Sequence, residues 1–69
     1  MILRELMDVI PDEQNIVIWS CDRDGEEDEV YEGPANKCPH GLGRFTVSYI
    51  DAGHFFIAIG IDEVPAGYL

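Results

Sequence analysis

The hydrophobic and polar positions in the last third of the chain follow the pattern of a β-hairpin. Residues 44–50 read RFTVSYI and residues 54–61 read HFFIAIGI, with DAG between them. Two runs rich in β-branched and aromatic residues on either side of a short turn that contains Gly are typical of paired antiparallel strands. We therefore predict a hairpin that supplies most of the core, with its second strand at the centre of a sheet.

The first half of the chain predicts a helix and two further strands. Apolar residues recur at helical spacing over residues 2–10, and Pro11 ends the pattern. Residues 16–19 (IVIW) are apolar on both faces and rich in β-branched residues, which favours an internal strand. Residues 30–32 (VYE) predict a short strand that pairs with it.

These elements predict one small α+β domain over residues 1–69. The order helix, strand, strand, loop, strand, strand gives a short N-terminal helix packed on a curved four-stranded antiparallel sheet. Residues 35–43 contain Pro and two Gly without periodicity and predict the loop. Residues 63–69 are expected to lie over the surface or to fray as a loose tail.

The net charge of the chain indicates which class of partner the protein can bind. Fourteen acidic residues against four basic ones give a net charge of -10. Direct binding of DNA or RNA is disfavoured, because that binding depends on Lys and Arg at the phosphates. The same charge favours association with a basic protein surface, and the alternative is that it only keeps a small protein soluble. The predicted partner-binding residues are Asp22, Asp24, Glu26, Glu27, Asp28, Glu29 and Glu32.

Two Cys and two His residues form the candidate metal site. Cys21, Cys38, His40 and His54 are the ligand complement of a tetrahedral zinc site, which would staple a domain this small. Their spacing departs from known zinc motifs, so the favoured interpretation is that no cofactor is bound and that the thiols are reduced. A zinc-stapled structural or regulatory domain is the alternative function.

Catalysis and membrane insertion are not expected. No nucleophile motif surrounds the Ser and Cys residues, and 69 residues leave little room for a substrate pocket. The longest apolar runs are far shorter than the ~20 residues of a membrane span, which favours a cytoplasmic protein.

The two inner strands leave a face of the sheet to be covered. Both strands are apolar on both faces, and the helix covers only one. We expect a second copy of the chain, as a homodimer, or a partner protein to cover the other face.

Three parts of the chain carry a family pattern, namely the opening LRELMDVIPDEQNIVIW, the central EVYEG and the closing pair of strands. In these parts the chain resembles a group of small acidic proteins of phages and prophages of Gram-positive gut bacteria. Ile2 stands where that group has a capping Thr, and Cys38-Pro39-His40 where it has an acidic linker. The resemblance implies a phage accessory protein in the cytoplasm of a bacterial host, without catalytic residues. Together with the charge it predicts a non-catalytic inhibitor of an anti-phage defence protein, an anti-CRISPR or similar protein, that mimics nucleic acid.

Overall fold

The computed structural model describes residues 1–68 and has one short helix and one four-stranded sheet. Two short 3₁₀ helices, Ala35–Lys37 and His40–Arg44, lie between the second and third strands. The other elements are α1 (Leu3–Met7), β1 (Asn15–Cys21), β2 (Glu27–Pro34), β3 (Val47–Ala52) and β4 (Ile57–Asp62). The α+β class is confirmed.

The sheet is mixed, and the prediction of a purely antiparallel sheet was wrong. Its strand order is β2-β1-β4-β3. The outer strands pair antiparallel with their neighbours, but β1 and β4 pair parallel at the centre, with Ile16 beside Ile57 and Ile18 beside Ile59. The prediction that strands 1 and 4 are internal is confirmed.

The segment after β2 explains the parallel pair. Pro34 lies beside Asn15 at one end of the sheet, whereas Val47 lies beside Ile61 at the other end. Residues 35–46 must therefore run back along the length of the sheet before β3 begins. They do so on the side of α1, where Leu42 is fully buried. The predicted loop is thus a crossover that contributes to the core, since burial of Leu42 favours its path over the sheet.

The hairpin supplies less of the core than its pattern predicts. The β4 strand begins at Ile57, so Phe55 and Phe56 belong to the preceding loop and are 85% and 44% exposed. The core includes only Ile59 and Ile61 from the hairpin among its buried residues. The remaining buried core residues come from α1 and its C-terminal turn, β1 and the crossover: Leu3, Leu6, Ile10, Ile16, Ile18, Ala35 and Leu42.

Contacts on both sides of the core fix the two ends of the chain. The Glu5 carboxylate accepts the N–H of Ile2 at 2.9 Å, which caps α1 although no Ser, Thr, Asp or Asn precedes it. After β4, the N–H of Val64 donates to Ser20 Oγ at 2.7 Å. The Tyr68 ring packs edge-on against Phe45 at 5.2 Å between centroids. The predicted tail therefore lies on the surface over residues 63–68, and Leu69 lies outside the described residues.

We predict that Ile59→Ala destabilises the domain far more than Ile50→Ala. The two residues are direct cross-strand partners, but Ile59 is fully buried and Ile50 is 50% exposed. Truncation of Ile59 removes buried methyl groups and leaves a cavity, which costs about 2–5 kcal/mol. Truncation of Ile50 should cost below about 1 kcal/mol. Urea unfolding followed by circular dichroism measures both, and equal losses would contradict the described core.

Candidate protein-binding face

Within residues 1–68 one face of the sheet has no helix over it, and we call it the open face. Strand register places Val17 and Trp19 of β1 on this face, beside Ala58 and Gly60 of β4. Val17 is 7% exposed but is not part of the core cluster under α1. The centre of the open face is therefore apolar. The pattern of β1 and β4 predicted this property, because both strands lack a polar side.

A β-bulge lines one border of the open face with carboxylates. Strict alternation along β2 would put Glu27 and Glu29 on one face and Glu32 on the other. The register shifts between Ile18 and Trp19, so that Glu27, Glu29 and Glu32 lie opposite Cys21, Trp19 and Val17. All three carboxylates consequently share the open face. The bulge also turns Tyr31 towards the core, where its hydroxyl donates to the Pro34 carbonyl oxygen at 2.6 Å.

The turn before β2 holds further acidic residues in a defined shape. The Asp22 carboxylate accepts the N–H groups of Asp24 and Glu26, each at 2.9 Å. Gly25 has φ of 83°, a conformation that favours glycine. The Asp22 carboxylate thus holds the turn in shape, whereas the side chains of Asp24 and Glu26 are exposed to solvent. We call residues 22–32 the acidic segment.

Tyr49 reaches across the open face from the opposite border. Its ring lies over Gly60, and a Cβ at residue 60 would overlap that ring. Its hydroxyl donates a hydrogen bond to the Glu27 carboxylate, which also lies 3.7 Å from the Cys21 sulfur. The hydrogen bond to Glu27 and partial burial raise the pKa of Tyr49 to about 12. Sequence reasoning missed this contact, and a Gly within an otherwise apolar strand was its only signal.

The basic residues lie mostly on the other side of the molecule. Half of the fourteen acidic residues but only one of the four basic residues, Arg23, fall in the acidic segment. Arg4 belongs to α1, and Lys37 and Arg44 belong to the 3₁₀ helices of the crossover. Arg44 places its guanidinium carbon 5.6 Å from the ring centroids of both Phe45 and Tyr68. The charge of the domain is therefore unevenly distributed, with the open face and its β2 border strongly acidic.

The structure does not bring the four candidate metal ligands together. Cys21 ends β1 beside Asp62, whereas His54 precedes Ile57 at the opposite end of β4. These two ends are about 16 Å apart at the rise of a β-strand, against metal bonds of about 2 Å. Cys38 and His40 line a separate cavity beside α1. Within residues 1–68 no three Cys, His, Asp or Glu residues are placed to hold one metal ion.

Both thiols have a raised pKa. Burial raises the pKa of Cys38 to about 11. Burial, followed by the negative charge of Glu27, also raises the pKa of Cys21. A raised pKa disfavours the thiolate, which is the reactive form of Cys.

Comparisons with known proteins found no match. No protein-family description, curated protein or solved structure matches the chain. In the described part of the chain, no helix has the length and apolar character needed to cross a bilayer.

We predict that Glu27→Gln lowers the pKa of Tyr49 from about 12 towards its ordinary value of 10, because the charged acceptor is lost. The raised value means that the folded chain retains the phenolic proton where the unfolded chain releases it. This contribution to stability is complete below pH 10 and disappears as the pH rises through about 12. Tyrosinate absorbance measures the pKa, with Tyr49→Phe subtracted to isolate this residue. Glu26→Gln is the matched control and should leave the titration unchanged.

We expect a chelator to leave the melting temperature unchanged, because the candidate ligands Cys21 and His54 lie at opposite ends of the sheet. Protein purified without added metal should contain zinc at a stoichiometry near zero. Elemental analysis and thermal unfolding with and without EDTA make the measurement. One zinc ion per chain, together with a lower melting temperature in EDTA, would contradict the placement of these side chains.

Proposed function

We propose that this chain is a non-catalytic protein-binding module whose acidic surface docks on a basic protein and competes there with nucleic acid. The observation that carries the proposal is the arrangement of carboxylates along β2. Residues 26–29 are four consecutive acidic residues in an exposed stretch at the edge of the sheet. Successive side chains of a β-strand point to opposite faces, so these residues give both sides of the sheet edge a negative charge, at a rise of about 3.4 Å per residue.

The position of β2 makes these charges accessible. Within residues 1–68 it is an edge strand that pairs with β1 alone, and the side chains of Glu27 to Glu29, together with Glu26 just before the strand, are exposed. The apolar open face adjoins it, so one surface combines carboxylates with burial of apolar area. Such a combination suits a stable protein interface, because charge accelerates encounter and apolar contacts prolong the complex.

The biological setting of the proposal is a bacterial cell under phage attack. The resemblance of LRELMDVIPDEQNIVIW and EVYEG to small acidic phage proteins supports a phage or prophage origin. A defence nuclease holds nucleic acid in a positively charged channel, which is a basic surface of the required kind. The proposed activity is therefore inhibition of such a defence protein, an anti-CRISPR or similar function, by occupation of its nucleic-acid groove.

We predict that the chain restores plaque formation by a phage in cells whose CRISPR nuclease targets that phage. The triple variant Glu26→Lys, Asp28→Lys and Glu29→Lys should lose at least about tenfold of this protection, because it replaces attraction with repulsion. The count of plaques relative to cells without the nuclease makes the measurement. Binding of purified chain to the nuclease should also weaken as the salt concentration rises.

The matched control has the same change in net charge at other exposed positions. Asp8→Lys, Glu13→Lys and Glu63→Lys lie outside β2 and should retain protection within about threefold. Equal loss in the two triple variants would show dependence on net charge alone. Full protection by the triple variant at residues 26, 28 and 29 would refute docking through the acidic segment.

A further inference from the structure

The open face contains a groove whose lining differs from the rest of the acidic surface. It has a volume of about 440 Å³, and Trp19, Phe55 and Phe56 surround it. Glu29 and Glu32 of β2 stand at its border. The volume lies within the range of about 300–1,000 Å³ that is common for ligand sites. Three aromatic and two acidic residues therefore line one concave surface.

We propose that this groove binds an arginine side chain presented by an extended basic segment of the partner protein. The inference rests on the proposed function and names the contact that makes docking specific. A guanidinium group is planar, stacks on aromatic rings and donates hydrogen bonds in a fork that fits a carboxylate. The groove supplies both kinds of partner, namely aromatic faces and the carboxylates of Glu29 and Glu32.

Charge complementarity selects this occupant. Among the described residues no Lys or Arg lines the groove, and the two charged residues that line it are both negative. The border strand adds Glu27 on the same face, so a cation meets attraction along the whole β2 side. A cation transferred from water into an apolar groove loses its hydration. Contacts with carboxylates and aromatic faces compensate for this loss.

A second copy of this chain fits the groove poorly. Each copy has a net charge of -10 and places Glu27, Glu29 and Glu32 on the open face. Face-to-face association would bury these carboxylates against the open face of a second copy that is equally acidic. Like charges desolvated together oppose association, whereas a basic segment neutralises them.

Exposed aromatic side chains favour a partner that inserts from solvent. Phe55 is 85% exposed in a loop that precedes β4, and its ring lies beside His54 with centroids 6.3 Å apart. An aromatic ring held in water at the border of a groove gains from covering an incoming side chain. We expect the ring of Phe55 to close over the methylene groups of the arginine.

The test uses Trp19 as its own reporter, because it is the single tryptophan of the chain. The probe is the blocked peptide Gly-Arg-Val-Arg-Val-Arg-Gly, titrated into the intact protein at ~0.15 M salt, where charges beyond about 8 Å are largely screened. Trp19 fluorescence should change and saturate. The same peptide with lysine should bind more weakly, and the peptide with citrulline, which has the shape of arginine without its charge, should give no saturation.

Matched variants separate the groove from the general charge of the surface. Glu29→Gln with Glu32→Gln should weaken binding of the arginine peptide by at least about tenfold. Asp24→Asn with Glu26→Gln removes the same charge from the turn and should weaken it by less than about threefold. Phe55→Ala, at an 85% exposed position, should weaken binding by about two- to fivefold. Ile50→Ala is its control and should have no effect.

Each other outcome overturns the inference. Equal weakening by the two carboxylate pairs would mean attraction by net charge, and would leave docking through the acidic segment intact. Saturable binding of the citrulline peptide would mean an apolar groove without a role for the cation. A dimer in sedimentation, dissociated by Phe55→Ala and unable to bind the arginine peptide, would assign the groove to a second copy. Plaque protection by the triple variant at residues 26, 28 and 29 tests the proposed function separately from all three results.

Discussion

Parallel pairing of the two most apolar strands is the contact on which the rest of the structure depends. With β1 beside β4, Ile16, Ile18, Ile59 and Ile61 form one buried layer under α1. This placement leaves β2 and β3 as edges and requires the chain to return over the helix side before β3. The crossover brings Leu42 into the core, so a segment without regular pattern becomes part of the packing. A domain of 69 residues gains in this way a buried layer that a hairpin alone would not provide.

Both faces of the central strands are then apolar, but they meet different surroundings. On one side α1 and the crossover exclude water. On the other side Tyr49 lies across Gly60 and joins the β3 border to Glu27 on the β2 border. The carboxylates outside this bridge face solvent, while Arg4, Lys37 and Arg44 belong to the helix side. A partner that approaches the open face therefore meets an apolar floor beside a negative border, which discriminates among partners by charge before any close contact forms.

Sequence reasoning succeeded where side-chain pattern alone determines the answer. Apolar residues on both faces of residues 16–19 and 54–61 correctly predicted two internal strands, although β4 begins only at Ile57. The helix predicted over residues 2–10 was too long, because α1 ends at Met7, before Pro11. Sequence reasoning failed where the answer depends on contacts distant in sequence. The direction of β1 relative to β4 follows from the path of the crossover, which a single buried Leu42 among Pro and Gly did not reveal. Phe55 resembled a core residue because strand periodicity cannot show that β4 begins two residues later. The zinc hypothesis had the same weakness. It grouped Cys21 and His54 by residue type, and the sequence does not give the distance between them.

Because of the bulge, the number of residues in β2 determines which side chains share a face, whatever the identity of those residues. One extra residue at Val30 sets which carboxylates share a face and sends Tyr31 to the core. Removal of a single residue here would keep nearly the same composition and the same net charge, yet would point Glu32 and Tyr31 to exchanged sides. Two chains with equal acidity could thus differ completely in the surface that they present. Among natural variants of this chain, a length change in β2 would therefore matter more for recognition than several exchanges between Asp and Glu.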